Sequence, residues 1–344
     1  MLNIKMLAKE LGISIGTVSR ALNGRPDVNA ETRERVLKAA DRLGYAPNQS
    51  GRSLRQGTTN AIGFMIQTGR EAMGESDSFF MPLFNSVQTV LEEQGMDLIV
   101  LTCSTHQDPE AYLRRVVSRH IVDGLILSAT LRVDPRITLL EKRNIPFVTL
   151  GRSESGRDHP WIDLDFEHFA RSSVARLAEL GHRRIAIAAP ASDLNLGFVF
   201  VDTYRQALAE HGLAFDPRLV LRGIPTEEGG LEIGKAFLAL EARPDAIILV
   251  NEVLALGFYR VLQDAGLMPG RDVAVIGFKE SPQTRFLTPS LTAFRMSLHE
   301  LGTELARTLL ATMPAYMNAF PDQPRQRLWP MQMVHGESEG KARR

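Results

Sequence analysis

A chain of 344 residues exceeds one ordinary hydrophobic core and implies two or three packed units, which 44% apolar content can fill. The single cysteine, Cys103, excludes a disulfide framework or a multi-cysteine metal site within the chain and fits a reducing compartment. Zero net charge conceals a split: residues 1–57 hold ten Lys and Arg against five Asp and Glu, so a head of +5 precedes a body of −5. Such a basic head is expected where one small domain meets phosphates and the rest stays off them.

The opening "MLNIKMLAKELG" has no apolar run of the signal type, and no uncharged run of about 18 apolar residues occurs, so a cytoplasmic protein without membrane segments is expected. In "IKMLAKELG" the apolar Ile4, Leu7, Ala8 and Leu11 fall on one helical stripe that Gly12 can end. Ser14 reads as the N-cap of a second helix, with Val18, Ala21 and Leu22 inward and Ile15, Gly16, Thr17, Ser19 and Arg20 wholly or partly outward. Asn23-Gly24 stops it, and "NAETRERVLKAADRLG" predicts a third helix with Val36, Leu37, Ala40 and Leu43 inward. Two helices joined by Gly-Ile-Ser with a third completing a mini-core make a helix-turn-helix, whose second helix enters the major groove. The outward residues suit base edges: Arg20 can fork onto a guanine, Ile15 can meet a thymine methyl, and Gly16 permits close approach. The bland alternative is a three-helix cap on an enzyme. The linker "YAPNQSGRSLRQGTTN" breaks at Pro47 and then offers a short helix carrying Arg52, Leu54 and Arg55.

The stretches "ISIGTVSRALNG", "VNAETRERVLKAADRLGYAPN" and "RSLRQGTTNAIG" resemble the signature of the LacI/GalR (lactose-repressor) family of bacterial transcription regulators, and the likeness runs on through the chain. The resemblance implies that Ile15, Gly16 and Arg20 read bases, that Thr17, Ser19, Asn23, Tyr45 and Asn48 serve the DNA-binding surface, and that residues 48–55 form a hinge helix. Arg52 and Arg55 would face the DNA from that helix, and Leu54 would be the wedge that two subunits push into the minor groove. Where the family usually has alanine, this chain has Gly51, which costs a helix about 1 kcal/mol. The hinge is therefore expected to order only on DNA, and Gly51→Ala to tighten operator binding.

From residue 60, strand-like runs ("AIGFMIQ", "DLIVLTC", "DGLILSA", "PFVTLGR", "RRIAIAAP", "AIILVN", "DVAVIGF") alternate with helical patterns. Apolar runs joined by long crossovers predict an α/β protein with parallel sheets covered on both faces, whose ligands bind at the carboxyl ends of the strands. No catalytic, cofactor or metal site stands out. There is no G-x-G-x-x-G after a strand and no Walker A, and "GRSES" misses the hydrolase G-x-S-x-G pattern at its last position. His182 reads as closing a helix, Cys103 as core, and Trp161 and Trp329 as packing residues, with Trp161 nearer the cleft.

The resemblance further implies a two-lobed core like that of periplasmic sugar-binding proteins. The expected divisions are a head at 1–45, a hinge at 46–58, a core at 59–335 and a tail at 336–344. Lobe one would hold about 60–160 and 292–320, and lobe two about 161–291 and 326–335. Ligand-facing positions carried over are Phe79, Phe80, Ser128, Gly151, Arg152, Asp163, Asp165, Asn251, Glu252 and Lys279. Two positions depart from the family: Phe200 stands where an arginine is common, and Lys279 where an aspartate follows "VGF". Loss of that hydroxyl-gripping pair puts a simple hexose in doubt. Lys279, Phe200 and Arg152 would suit a sugar derivative with an anionic group; alternatively Lys279 is solvated, or pairs with Glu252 or Glu280.

One recognition helix per chain implies a two-fold dimer on a palindromic site, and "HGESEGKARR" offers no leucine seam for tetramers. The expected function is a sequence-specific regulator, repressor in type, of carbohydrate-related genes under a small sugar-like effector. The rival readings are an exported sugar-binding protein and an α/β sugar-modifying enzyme.

Overall fold

The computed structural model describes residues 4–22, 24–45, 58–68, 76–104, 106–156 and 158–342. The chain divides into two compact units between Thr59 and Asn60.

The first unit holds α1 (Ile4–Leu11), α2 (Ile15–Leu22) and α3 (Ala30–Leu43). Their shared core is Leu7, Ala8, Val18, Ala21, Val28, Val36, Ala39 and Ala40. Gly12, at φ +65°, ends α1 in the left-handed region, and Ser14 Oγ accepts the Thr17 amide at 3.1 Å as α2 begins. Asn29 caps α3 through the Thr32 amide at 2.7 Å, and Gly44 closes it at φ +63°. One expectation fails here. Leu37 is 49% exposed, because three short helices leave that flank of α3 uncovered, and Ala39 takes the inward place.

The second unit has two six-stranded sheets. Sheet one, in the order β11-β5-β4-β3-β1-β2, is wholly parallel: β1 (Ala61–Thr68), β2 (Asp97–Ser104), β3 (Gly124–Leu127), β4 (Phe147–Leu150), β5 (Trp161–Leu164) and β11 (Gln326–Trp329). Sheet two runs β12-β10-β9-β8-β6-β7, from β6 (Ile185–Pro190), β7 (Val220–Gly223), β8 (Ala246–Leu249), β9 (Ala274–Lys279), β10 (Thr292–Arg295) and β12 (Gln332–Val334), with only β12 antiparallel. The central strands β3, β4 and β8 are buried along their whole length, as sheets covered on both faces require.

The helices α4 (Met81–Glu92), α5 (Pro109–Ser118), α6 (Pro135–Arg143), α7 (Phe166–Glu179), α8 (Asn195–Glu210), α9 (Glu227–Leu238), α10 (Leu254–Asp264) and α11 (Leu298–Leu310) cover these sheets. Helix α11 packs on α4, β3 and β4, and so belongs to lobe one.

Strand pairing corrects the expected lobe limits. Strand β5 pairs with β4 and so belongs to lobe one; β10 pairs with β9 in lobe two; β11 returns to lobe one beside β5. The three crossings therefore fall after Leu164, after Arg295 and between Trp329 and Gln332. The segment 336–342 is likewise no free tail. Ser338 is fully buried, its Oγ donates to Val275 O at 2.6 Å, and its carbonyl accepts the Val275 amide at 2.7 Å.

Candidate functional site

In the first unit, α2 presents the residues expected to read DNA. Ile15 is 43% exposed, and a Cβ on Gly16 would meet nothing nearer than Ser14 Oγ at 3.6 Å. The exposed Arg20 guanidinium lies 3.3 Å from Asp27 Oδ2. Thr17 and Ser19 are half-buried, and Thr17 Oγ1 sits 2.9 Å from Ser14 Oγ, which fixes it at the start of the helix. Tyr45 packs on the mini-core just past α3, its amide donating to Ala40 O at 2.8 Å. Asn23, Asn48, Gly51, Arg52, Leu54 and Arg55 lie outside the described residues, and with them the expected hinge helix.

In the second unit a cavity of about 210 Å³ lies between the lobes at the carboxyl ends of the strands. Nine of the expected ligand-facing residues line it: Phe79, Phe80, Ser128, Gly151, Arg152, Asp163, Asn251, Glu252 and Lys279. Phe79 and Phe80 come from a π-type turn, Ser76–Phe80, that leads into α4, and Phe80 stacks on Phe84 at 5.8 Å. Ser128, at the end of β3, donates its hydroxyl to Met65 O at 2.9 Å. Gly151 needs to be glycine: at φ +112° a side chain is strained, and its Cβ would lie 2.9 Å from Thr130 Oγ1.

The charged groups are committed to one another. Arg152 Nε donates to Asp163 Oδ2 at 2.7 Å, and its Nη2 to both Glu167 oxygens at 2.8 and 2.9 Å. Across the cavity, Lys279 Nζ sits 2.6 Å from Glu252 Oε1, both side chains almost wholly buried, and donates to Ser78 Oγ at 3.3 Å. Burial drives the Asp163 carboxyl up to about 6 despite the opposing Arg152 guanidinium, with the Glu167 charge adding to the rise. Both cations that line the cavity are thus paired with carboxylates, Arg152 with Asp163 and Glu167, and Lys279 with Glu252. Of the alternatives weighed for Lys279, the pairing with Glu252 is the one found.

Two expected residues are elsewhere. Asp165 is the N-cap of α7, accepting the His168 amide at 2.8 Å. Phe200 is fully buried and stacks on Phe169 at 5.2 Å, because α8 runs from Asn195 and turns that aromatic into the core of lobe two. Sequence reading missed Asn195, whose Nδ2 donates to Arg152 O and whose amide donates to Thr130 O, both at 2.9 Å. With the Leu131–Leu194 bridge, these bonds join the lobes along one rim. It also missed Phe166 and Phe278, stacked at 5.1 Å against the cavity. The polar "SDLN" before an apolar helix was the available signal for Asn195.

Residues 3–48 match the bacterial regulatory proteins of the lacI family, and residues 174–338 match a periplasmic binding protein-like domain. The transcriptional regulator AglR of Rhizobium meliloti (strain 1021) is 36% identical over 99% of this chain and 95% of its own length. The chain belongs to the LacI family of bacterial regulatory proteins. RafR of Escherichia coli, another HTH-type transcriptional regulator, is 35% identical over 87% of this chain and 88% of its own. Among solved structures, a CelR–cellobiose complex aligns with TM-score 0.72 at 26% identity, covering 98% of this chain and all of that one. The lac repressor dimer on operator, at 21% identity and TM-score 0.83 over 98% and 99% of the two chains, shows the same fold. This LacI-family chain is a DNA-binding transcriptional regulator. No helix among the described residues is long and apolar enough to cross a membrane.

Proposed function

We propose that the protein is a cytoplasmic, dimeric, repressor-type regulator of carbohydrate-related genes that reads a palindromic operator with α2 and takes a neutral saccharide of two or more rings in its cleft. The observation that carries the effector class is the buried Lys279–Glu252 pair facing the Arg152–Asp163 pair. Each pair offers a hydroxyl-rich ligand both a donor and an acceptor, while an anionic ligand would have to compete with a carboxylate already on each cation. The stacked Phe166 and Phe278 and the aromatic Phe79 and Phe80 supply apolar faces for sugar rings. The similar CelR is in complex with cellobiose, a neutral disaccharide.

The operator is expected to be palindromic because a single α2 reads one half-site and a two-fold partner reads the next, one helical turn away. Effector binding then shifts the population between open and closed lobes, and only its differential affinity for the two can change operator affinity.

The test is fluorescence anisotropy of a palindrome selected by the purified protein from random DNA, repeated with neutral disaccharides, trisaccharides and sugar acids. A neutral oligosaccharide is expected to alter operator binding and, at about 100 times its Kd, to add about 2.7 kcal/mol of stability. A response to sugar acids alone would overturn the effector class. Failure to enrich any palindrome, with or without the sugars, would overturn the operator reading.

A further inference from the structure

A second pocket, of about 230 Å³, lies at the opposite end of sheet two from the cleft, where β6, β8 and β9 begin. It is walled by His182, by Arg243–Asp245 and Gly270–Ala274, and by Lys341 and Ala342 of the terminal segment that folds back on lobe two. The close approach of that segment is specified by glycine. A Cβ on Gly340 would lie 1.6 Å from Gly270 O, and one on Gly270 would lie 2.1 Å from Glu337 O. The Ala342 amide donates to Leu180 O at 3.0 Å, and His182 Nε2 donates to Gly340 O at 2.8 Å, so the wall is held on both sides of Lys341.

Both carboxylates of the pocket are already engaged. Asp245 accepts the amides of Arg183 and Arg184 at 3.0 and 3.2 Å and faces His182 Nδ1 at 3.5 Å. Asp272 accepts the Met268 amide at 2.8 Å and both Nε and Nη2 of Arg271 at 3.0 and 2.7 Å. Arg271 is thereby neutralised. Arg243 and Lys341 remain, both exposed, both lining the hollow and neither with an ionic partner among the described residues. Two such cations around a concavity are the arrangement that binds an oxyanion through charge-assisted hydrogen bonds. The cleft has the reverse character, with every cation paired.

We propose that this pocket is a second small-molecule site, for a phosphate-type oxyanion held by Arg243 and Lys341, free in solution or carried on a small metabolite.

Isothermal titration calorimetry of the full-length protein at constant ionic strength tests this, with inorganic phosphate, glucose 6-phosphate and glucose as separate titrants. Phosphate should bind saturably, one per chain, and the double variant Arg243→Gln/Lys341→Gln should weaken it by about tenfold or more. The Lys341→Arg variant, which keeps the charge, should retain binding. Operator affinity is unchanged in all three proteins and serves as the check on folding; should the double variant not fold, Lys341→Gln alone should still weaken phosphate. Tighter binding of glucose 6-phosphate than of phosphate, lost in the double variant, assigns the site to a phosphorylated metabolite; equal affinities assign it to the free ion. Absence of saturable phosphate binding overturns the proposal. So does binding that the double variant leaves intact, since the phosphate would then sit elsewhere, as on the basic head.

Discussion

Arg20 on the recognition helix and Lys279 in the cleft each sit beside one carboxylate, yet their surroundings give the two pairs opposite meanings. The Arg20 and Asp27 side chains are 52% and 60% exposed, so their attraction is screened and contributes about 0–1 kcal/mol. Arg20 can leave Asp27 at little cost. Lys279 and Glu252 are 6% and 1% exposed, and neither can leave without stranding the other's charge away from water. A surface that must read a polyanion keeps its cation available, whereas this cleft fixes its cations internally and offers a ligand ion pairs that both donate and accept hydrogen bonds.

Breaking the buried pair should have the largest effect. Lys279→Met leaves Glu252 uncompensated and is expected to cost about 3–5 kcal/mol in denaturant unfolding, whereas Lys279→Met/Glu252→Met should recover most of that stability without restoring an effector response. A single-variant loss under about 1 kcal/mol would mean that the pair is as solvated as Arg20–Asp27, and the contrast would collapse.

Next in size is Arg20→Ala. Folding should be untouched and operator affinity should fall by about 1–3 kcal/mol, with preference relaxed at one base position in an anisotropy assay over single-base operator variants. A uniform loss across all sequences, with the salt slope reduced by about one, would make Arg20 a phosphate contact instead.

The lobe-one pair offers a pH test. Asp163 has its carboxyl raised from near 3.8 to about 6 by burial, opposed by Arg152 and helped by Glu167. Between those values the folded chain binds more protons than the unfolded one, so this group's contribution to stability is fullest below about pH 4 and is lost as pH rises through 6. Asp163→Asn should flatten that part of the stability profile. An unchanged slope between pH 4 and 6 would show that Asp163 is ionised throughout, held by Arg152.

How much of this was legible in the chain depends on the range of the interactions involved. The head could be read closely, because Gly12 and Ser14 act on neighbours three residues away. Leu37 was misjudged since the helical period places it on the edge of the stripe, and only the absence of a fourth covering element leaves it exposed. Nine cleft residues could be placed from the family pattern, but Phe200 could not: as an aromatic it follows its own chemistry inward to Phe169. Strands of four residues such as Trp161–Leu164 and Thr292–Arg295 carry no local mark of which sheet they join, so the lobe limits had to wait for pairing. The hydrophilic "HGESEG" hid a packed segment because its contacts are polar and distant in sequence: Ser338 to Val275, Glu339 to Arg176, and two close-approaching glycines.

The smallest effect should come from Asp27→Asn, and it sharpens the comparison most finely. If Asp27 only competes with DNA for Arg20, removing its charge also removes one repulsion with phosphate. Specific and non-specific affinity should then rise together, each by no more than about fivefold. If instead Asp27 holds the guanidinium fork in the plane that a guanine requires, the same variant should gain on random DNA and lose on the operator, because the freed side chain must be ordered at binding. Anisotropy on both DNAs at two salt concentrations separates the cases: an electrostatic competitor fades as salt rises, while an orienting contact leaves a specificity ratio that persists.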